Sequence, residues 1–152
     1  MRPVHWRSVF GALTAFLMMA VVACGSDTST GPGSNNTPTT PVGSYSLSAV
    51  NGKPVPVTMF SDTAFTEVIA DATLALTADG KYLFVQTTHE TVAGYLSVYV
   101  YSSSGTWKQQ GSTSAITFTS TDAPGPDLNA TWTGNTISLL GADAVTWVFT
   151  RK

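Results

Sequence analysis

Charged and chemically reactive side chains are scarce in this chain. Lysine, arginine, aspartate and glutamate together make up 11% of the residues, and there are only two histidines and one cysteine. With a single cysteine no intramolecular disulfide can form, and a metal site built from several histidines or cysteines lacks its usual ligands. We therefore expect no metal and no other cofactor, and a fold that depends on its packed core.

Basic residues are few and scattered. Beyond Cys24 the chain holds five basic residues against nine acidic ones, a net charge of −4. Binding to nucleic acid needs several lysines or arginines on one face, where they neutralise phosphates. We therefore expect no nucleic acid partner.

Catalytic motifs are also lacking. His89 is the only histidine beyond the first 23 residues, it stands beside Glu90 at the tip of a predicted hairpin, and no Gly-x-Ser-x-Gly nucleophile elbow occurs. Asp122, Asp127 and Asn129 share a loop but lack the dense, alternating carboxylates of calcium-binding loops. We therefore predict no catalytic residue and no enzyme, with a hydrolase based on His89 as the weakest alternative.

The N-terminal segment begins with basic residues, and residues 9–22 carry no charge. This apolar run is shorter than the roughly 20 residues of a membrane span and has the length of a signal-peptide core. It closes on Val21-Val22-Ala23-Cys24, which is two aliphatic residues, a small residue and the only cysteine. The pattern resembles the lipobox of bacterial lipoproteins.

The resemblance implies cleavage before Cys24 and a diacylglyceryl group, with acyl chains such as palmitate, on the cysteine sulfur. Two or three acyl chains anchor a protein stably, at about 0.8 kcal/mol per buried CH₂. We therefore expect residues 1–23 to be a lipoprotein signal peptide. The mature chain is expected to be lipid-anchored in the bacterial cell envelope, and Gly25 favours the outer membrane over the inner membrane.

Residues 24–41 follow as a segment of glycine, serine, threonine, asparagine and proline without a large apolar side chain after Cys24. Such a composition cannot bury enough apolar surface to offset the entropy of ordering, so we predict a disordered tether. Residues 42–152 then form one domain of ordinary size.

From residue 42 onward, apolar and polar residues alternate with a period of two, which predicts β-strands. Asp79-Gly80 between two such runs is the strongest hairpin signal. A long antiparallel meander leaves two exposed edges unless it closes on itself. We therefore predict an all-β, up-and-down meander closing into a barrel of eight or nine strands, with an open β-sandwich as the alternative.

Short motifs spread over residues 43–152 make this domain similar to the lipocalin-like domains of bacterial lipoproteins. They are Gly43-Ser44-Tyr45-Ser46-Leu47, Asp79-Gly80-Lys81-Tyr82, Gly105-Thr106-Trp107 and Trp147-Val148-Phe149-Thr150-Arg151. Lipocalins open with Gly-x-Trp and end with a basic residue packed over that ring. Tyr45 stands at the aromatic position here, and the resemblance implies that Arg151 packs against it and closes one end of the barrel.

Two sets of aromatic residues are candidates for binding. The first, which would line a ligand cavity inside the barrel, is Trp107, Trp132 and Trp147. The second belongs to the hairpin of residues 81–101, both faces of which are apolar. If its aliphatic residues face inward, an exposed aromatic patch results: Tyr82, Phe84, Tyr95, Tyr99 and Tyr101. A bulge in residues 102–105 would then return Trp107 to the interior.

An exposed patch of this kind often marks a partner surface, and the alternatives are a cover formed by residues 54–66 or the ordinary preference of tyrosine for strands. The sequence thus predicts a non-enzymatic envelope lipoprotein that binds a small apolar ligand in its barrel or an envelope protein through the hairpin. The alternative function is a structural or inhibitory module with a filled barrel.

Overall fold

A computed structural model describes residues 38–122, 126–141 and 144–152. The signal peptide, Cys24 and the tether as far as residue 37 lie outside the described residues, so what was expected of them stays a prediction. Within the described ranges the chain contains no helix that could span a membrane.

Ten antiparallel strands form one sheet in the described part of the chain. They are β1 (Gly43–Val50), β2 (Lys53–Pro54), β3 (Val57–Ser61), β4 (Phe65–Leu76), β5 (Lys81–Val92), β6 (Tyr95–Gln109), β7 (Ala115–Ser120), β8 (Leu128–Thr133), β9 (Thr136–Leu140) and β10 (Thr146–Arg151). Strands β4 to β10 pair in chain order, β10 pairs with β1, and β1 pairs with β4. This closes an eight-stranded barrel with β2 and β3 as additional strands. The predicted closed meander is confirmed.

The hairpin turns use residues suited to left-handed backbone conformations. Gly80, with φ of 77°, ends the turn between β4 and β5, as the Asp79-Gly80 signal predicted. Ala93 and Gly94, with φ of 48° and 85°, join β5 to β6. That hairpin is therefore longer than predicted, and His89 lies within β5 and not at its tip.

The inward face of β5 is the opposite of the one predicted. Tyr82 is buried and Phe84 packs against the core, whereas Leu83 is 49% exposed. β6 pairs with β5 without any shift of register, so the predicted bulge near residues 102–105 is absent and Trp107 shares its face with Tyr101. Because side chains alternate with a period of two, an error of one residue in the inward assignment reverses a whole strand.

Strands β4, β5 and β6 extend past the barrel and form a flared extension with β3. Its residues are 65–69, 88–92 and 95–102 together with β3. β7 pairs only with residues 105–109 of β6. Residues 95–102, called the free edge below, therefore pair with β5 on one side and with none of the described strands on the other.

Candidate ligand cavity

Arg151 seals the end of the barrel at which β1 begins and β10 ends. Its guanidinium lies over the Tyr45 ring, with Cζ 5.1 Å from the ring centroid, and it donates to the Tyr45 hydroxyl oxygen at 2.9 Å. It also donates to the carbonyl oxygens of Val42 at 2.9 Å and Thr40 at 2.8 Å. The expected contact between Arg151 and Tyr45 is thus present, and contacts with the barrel begin at Thr40, two residues before the predicted domain start.

The Tyr45 hydroxyl completes this seal. It donates to the Pro41 carbonyl oxygen at 2.7 Å and accepts from Arg151, which a neutral hydroxyl can do at the same time. Burial raises the pKa of Tyr45 above its ordinary value, and the positive charge of Arg151 offsets part of that rise. The fully buried side chains Ile116 and Ile137 fill the same half of the barrel.

The half of the barrel away from Arg151 is hollow. It contains a cavity of about 460 Å³. The apolar and aromatic side chains of its wall are Met59, Leu74, Tyr82, Phe84, Phe118, Leu128, Leu139, Val145, Trp147 and Phe149. Gly141, Gln86 and Ser103 complete the wall. The volume lies within the range of about 300–1,000 Å³ typical of small-molecule sites.

Edge-to-face aromatic contacts hold the wall in place. The ring of Phe84 lies 6.3 Å from that of Trp147 at 85° and 6.2 Å from that of Phe149 at 81°. Tyr82 and Phe118 make a similar contact at 5.3 Å and 86°. Such pairs contribute about 0.5–1.5 kcal/mol each beyond their area burial. The cavity is therefore bounded by side chains that support one another.

Polar groups in the wall are few. The Tyr82 hydroxyl and Ser103 Oγ lie 3.3 Å apart and share a hydrogen bond. Gln86 Nε2 donates to Thr88 Oγ1 at 2.8 Å, and the side-chain oxygen Oε1 of Gln86 has no hydrogen-bond partner among the described residues. Among the described residues, no charged side chain contributes to this wall. The cavity thus combines an apolar surface with one amide and a pair of hydroxyls.

Only one of the three predicted tryptophans lines the cavity. Trp147 does, whereas Trp107 Nε1 donates to the Thr77 carbonyl oxygen at 3.1 Å and Trp132 Nε1 donates to the Gly134 carbonyl oxygen at 2.6 Å. Both acceptors belong to turns at the sealed end. The prediction was therefore wrong for Trp107 and Trp132, and it missed Phe84 and Phe149.

The predicted aromatic patch is smaller than expected. Tyr82 and Phe84 face the interior because the parity of β5 is reversed, so the prediction was wrong for both. Tyr95, Tyr99 and Tyr101 are 81%, 42% and 50% exposed, since the free edge lies beyond the closed barrel. The rings of Tyr99 and Tyr101 are 6.3 Å apart and 27° from parallel. β3 lies beside β4, so that β4 and β5 separate it from these tyrosines, and their exposure shows that it does not cover them.

The other candidate groups are dispersed. His89 and Glu90 are adjacent in β5 and so face opposite sides of the sheet. Asp122 accepts hydrogen bonds from the Ser104 main-chain N–H and, at 3.1 Å, from its hydroxyl. In the part of the chain that the structure describes, no three histidine, cysteine or acidic side chains come together as metal ligands.

Comparison with protein-family models, with curated proteins and with solved structures finds no match. The barrel geometry is accordingly the basis for assigning a function. A concave apolar wall with two hydrogen-bonding positions is suited to holding a small molecule.

Proposed function

We propose that this protein is a lipid-anchored lipoprotein of the bacterial cell envelope that binds a small, predominantly apolar molecule in its barrel. The observation that carries the proposal is the cavity of about 460 Å³ with its aromatic and aliphatic wall. Transfer of apolar ligand surface into such a site contributes about 25 cal/mol per Å². Walls that are already in place reduce the ordering cost of binding.

The wall also indicates the chemistry of the ligand. Because none of the described residues that line the cavity is charged, an ionised group buried against them would be unpaired and strongly unfavourable. Gln86 and the Tyr82–Ser103 pair offer hydrogen bonds at two positions. The ligand is therefore an uncharged molecule, mainly hydrocarbon or aromatic, with one or two hydrogen-bonding groups.

The anchor rests on the lipobox-like sequence that ends at Cys24. An acylated Cys24 places the barrel next to a membrane, where apolar molecules concentrate. A structural module with a filled barrel is the alternative function, and the cavity favours ligand binding over it.

The ligand is tested by native mass spectrometry of the protein purified from its own cells without added ligand. We expect one small uncharged molecule per chain, and we expect Leu139→Phe, which fills the cavity, to remove it. Leu83→Phe, a matched change on the outer surface of β5, should leave it bound. If native mass spectrometry finds the protein without any bound small molecule, even after incubation with an apolar extract of the same cells, the proposal is contradicted.

The anchor is tested separately by feeding cells an alkyne-labelled palmitate. We expect label on the full chain and none on Cys24→Ser, and we expect the labelled chain in the membrane fraction. Equal labelling of both chains, or labelling of neither, would contradict lipidation at Cys24.

A further inference from the structure

The main-chain groups of the free edge point away from the barrel in a regular pattern. Trp107 N–H donates to the Gly80 carbonyl oxygen at 2.8 Å, so the odd-numbered residues of β6 bond to β5. The Ser104 carbonyl oxygen accepts from Thr121 N–H at 3.0 Å, so even-numbered residues direct their groups to the other side. Toward the hairpin tip these residues are Leu96, Val98, Val100 and Ser102. No described strand pairs with them.

The start of the free edge is set by Asp122. Its carboxylate accepts from the main-chain N–H and the hydroxyl of Ser104, just beyond the last β6–β7 pair, Gly105 with Ser120. The carboxylate thus takes the hydrogen-bonding position that the next residue of β7 would occupy. β7 ends there, and the chain leaves the sheet.

The other edges of the sheet carry features that hinder pairing with a further strand. β2 consists of Lys53 and Pro54, and β3 has a register shift between Thr58 and Phe60. Charge, proline and bulges are the usual means by which natural edge strands are protected. The free edge has none of the three: residues 95–102 are uncharged, lack proline and hold a constant register with β5.

The side chains of the free edge are divided between two faces. Leu96, Val98 and Val100 are 63%, 56% and 67% exposed on one face, and the exposed tyrosines occupy the other. An identical strand running antiparallel matches both faces, aliphatic against aliphatic and tyrosine against tyrosine. Because the edge carries no charge, a self-pair brings no like charges opposite each other.

We infer that two copies of this chain pair through residues 95–102 as a two-fold symmetric, antiparallel dimer with one sheet continuing from barrel to barrel. The outward main-chain groups pair even-numbered with even-numbered residues, and full overlap of residues 95–102 places the two-fold axis at the middle of this segment, at Val98 or Tyr99. The described residues of each chain present one unprotected edge, and association therefore stops at two copies and does not continue into a fibre.

The first test is disulfide trapping in cells that produce the full chain. At the two-fold axis the same residue of the two copies is opposite itself, with Cα atoms about 4.5–5.5 Å apart, which a disulfide can bridge. We expect Val98→Cys or Tyr99→Cys, after oxidation with copper phenanthroline, to give a covalent dimer of this chain. Leu83→Cys, which is also exposed but lies in the barrel wall, should give none.

The second test needs no cysteine. Both symmetric registers place tyrosines of the two copies opposite each other, Tyr99 with Tyr99 or Tyr95 with Tyr101. Light-driven tyrosine coupling of the unmodified full chain should therefore give a product of twice the chain mass. Val98→Lys should lower its yield several-fold, because it places a lysine of each copy at the axis or one residue from it, while Leu83→Lys should leave it unchanged.

Mass spectrometry of the linked products decides between the possible occupants of the edge. Products that contain this chain alone support the dimer. A product linked to a different protein, or a monomer as the only product from the unmodified chain, overturns it.

Discussion

On strand β9, Ile137 is fully buried in the packed half of the barrel, whereas Leu139, two residues further along and facing the same way, lines the cavity. The same contrast holds on β10, where Arg151 seals one end and Trp147 lines the hollow at the other. Strands that are continuous through both halves therefore have a filled interior at one end and an empty one at the other.

The contrast between the filled and the hollow half follows from the groups that close each end of the barrel. At the sealed end, Arg151 joins Tyr45 to the segment around Pro41, and among the buried side-chain nitrogen and oxygen atoms of the described residues only Arg151 Nε lacks a partner. At the far end, β4, β5 and β6 continue while their neighbours stop, so the wall is tall on one side only. We therefore expect the sealed end to contribute to stability and the other end to carry the proposed ligand binding, and substitutions should separate the two.

The largest effect is expected at Gly105, where the barrel meets the flared extension. A Cβ at this position would lie 2.8 Å from Tyr82 Cε1 and closer still to the main-chain oxygen of Thr119. Gly105→Ala should therefore destabilise the protein by about 3 kcal/mol, since β6 and β7 must move apart. Thermal unfolding measures the change, and Ser102→Ala on the same strand is the control. Equal thermal unfolding midpoints for the two variants would show that the barrel wall is not close-packed at Gly105.

A larger side chain on β9 should give opposite results in the two halves. Ile137→Phe overpacks a filled interior and should cost about 2–3 kcal/mol of unfolding free energy. Leu139→Phe enters the cavity and should cost little or stabilise the protein. Denaturant unfolding of the pair measures the difference. If both variants lost the same stability, the division into a filled and a hollow half would be wrong.

Removal of the Arg151 side chain should weaken the sealed end alone. Arg151→Ala removes the contact with Tyr45 and two hydrogen bonds to the main chain, and should lower stability by about 1–2 kcal/mol. Lys152→Ala is the control, because Lys152 bonds to Ser44 through its main-chain N–H, which the change retains. Ligand binding should be unaltered in both variants. An unchanged melting temperature for Arg151→Ala would reject the role of the seal.

The smallest effect is a pH dependence from Tyr45. Its raised pKa means that the folded state holds the proton when the unfolded state, with a pKa near 10, has begun to lose it. Stability from this group is therefore complete below about pH 10 and falls as the pH rises further. Tyr45→Phe should show a shallower loss between neutral and strongly alkaline pH. Parallel stability curves for the two proteins would contradict the buried, neutral hydroxyl.

The closed barrel and the contact at the sealed end could be predicted from the sequence. Alternation, turn residues and the absence of long helical segments are local signals, and together they leave few all-β architectures. Tyr45 and Arg151 stand at opposite ends of the domain sequence, and pairing of the first and last barrel strands places them opposite each other.

The inward parity of β5 and β6 could not be read from hydrophobicity, because both faces of that hairpin are apolar. Two features of the sequence did indicate which residues of β5 and β6 face inward. Trp107 is on β6 without an intervening bulge, so odd-numbered residues face inward along the whole strand. Gly105 lies opposite Tyr82 and leaves room for its ring. Which tryptophans meet the cavity depends on the stagger between strands, which no local pattern reports.

The claim that the hollow half of the barrel is a ligand site is tested most directly by titration with the uncharged fluorescent dye prodan. Residues 25–152, which contain every strand of the barrel, should bind one dye per chain, Leu139→Phe should bind it at least tenfold more weakly, and Leu83→Phe should match the unmodified protein. Dye binding that does not saturate, or that is equal in Leu139→Phe, would contradict the account.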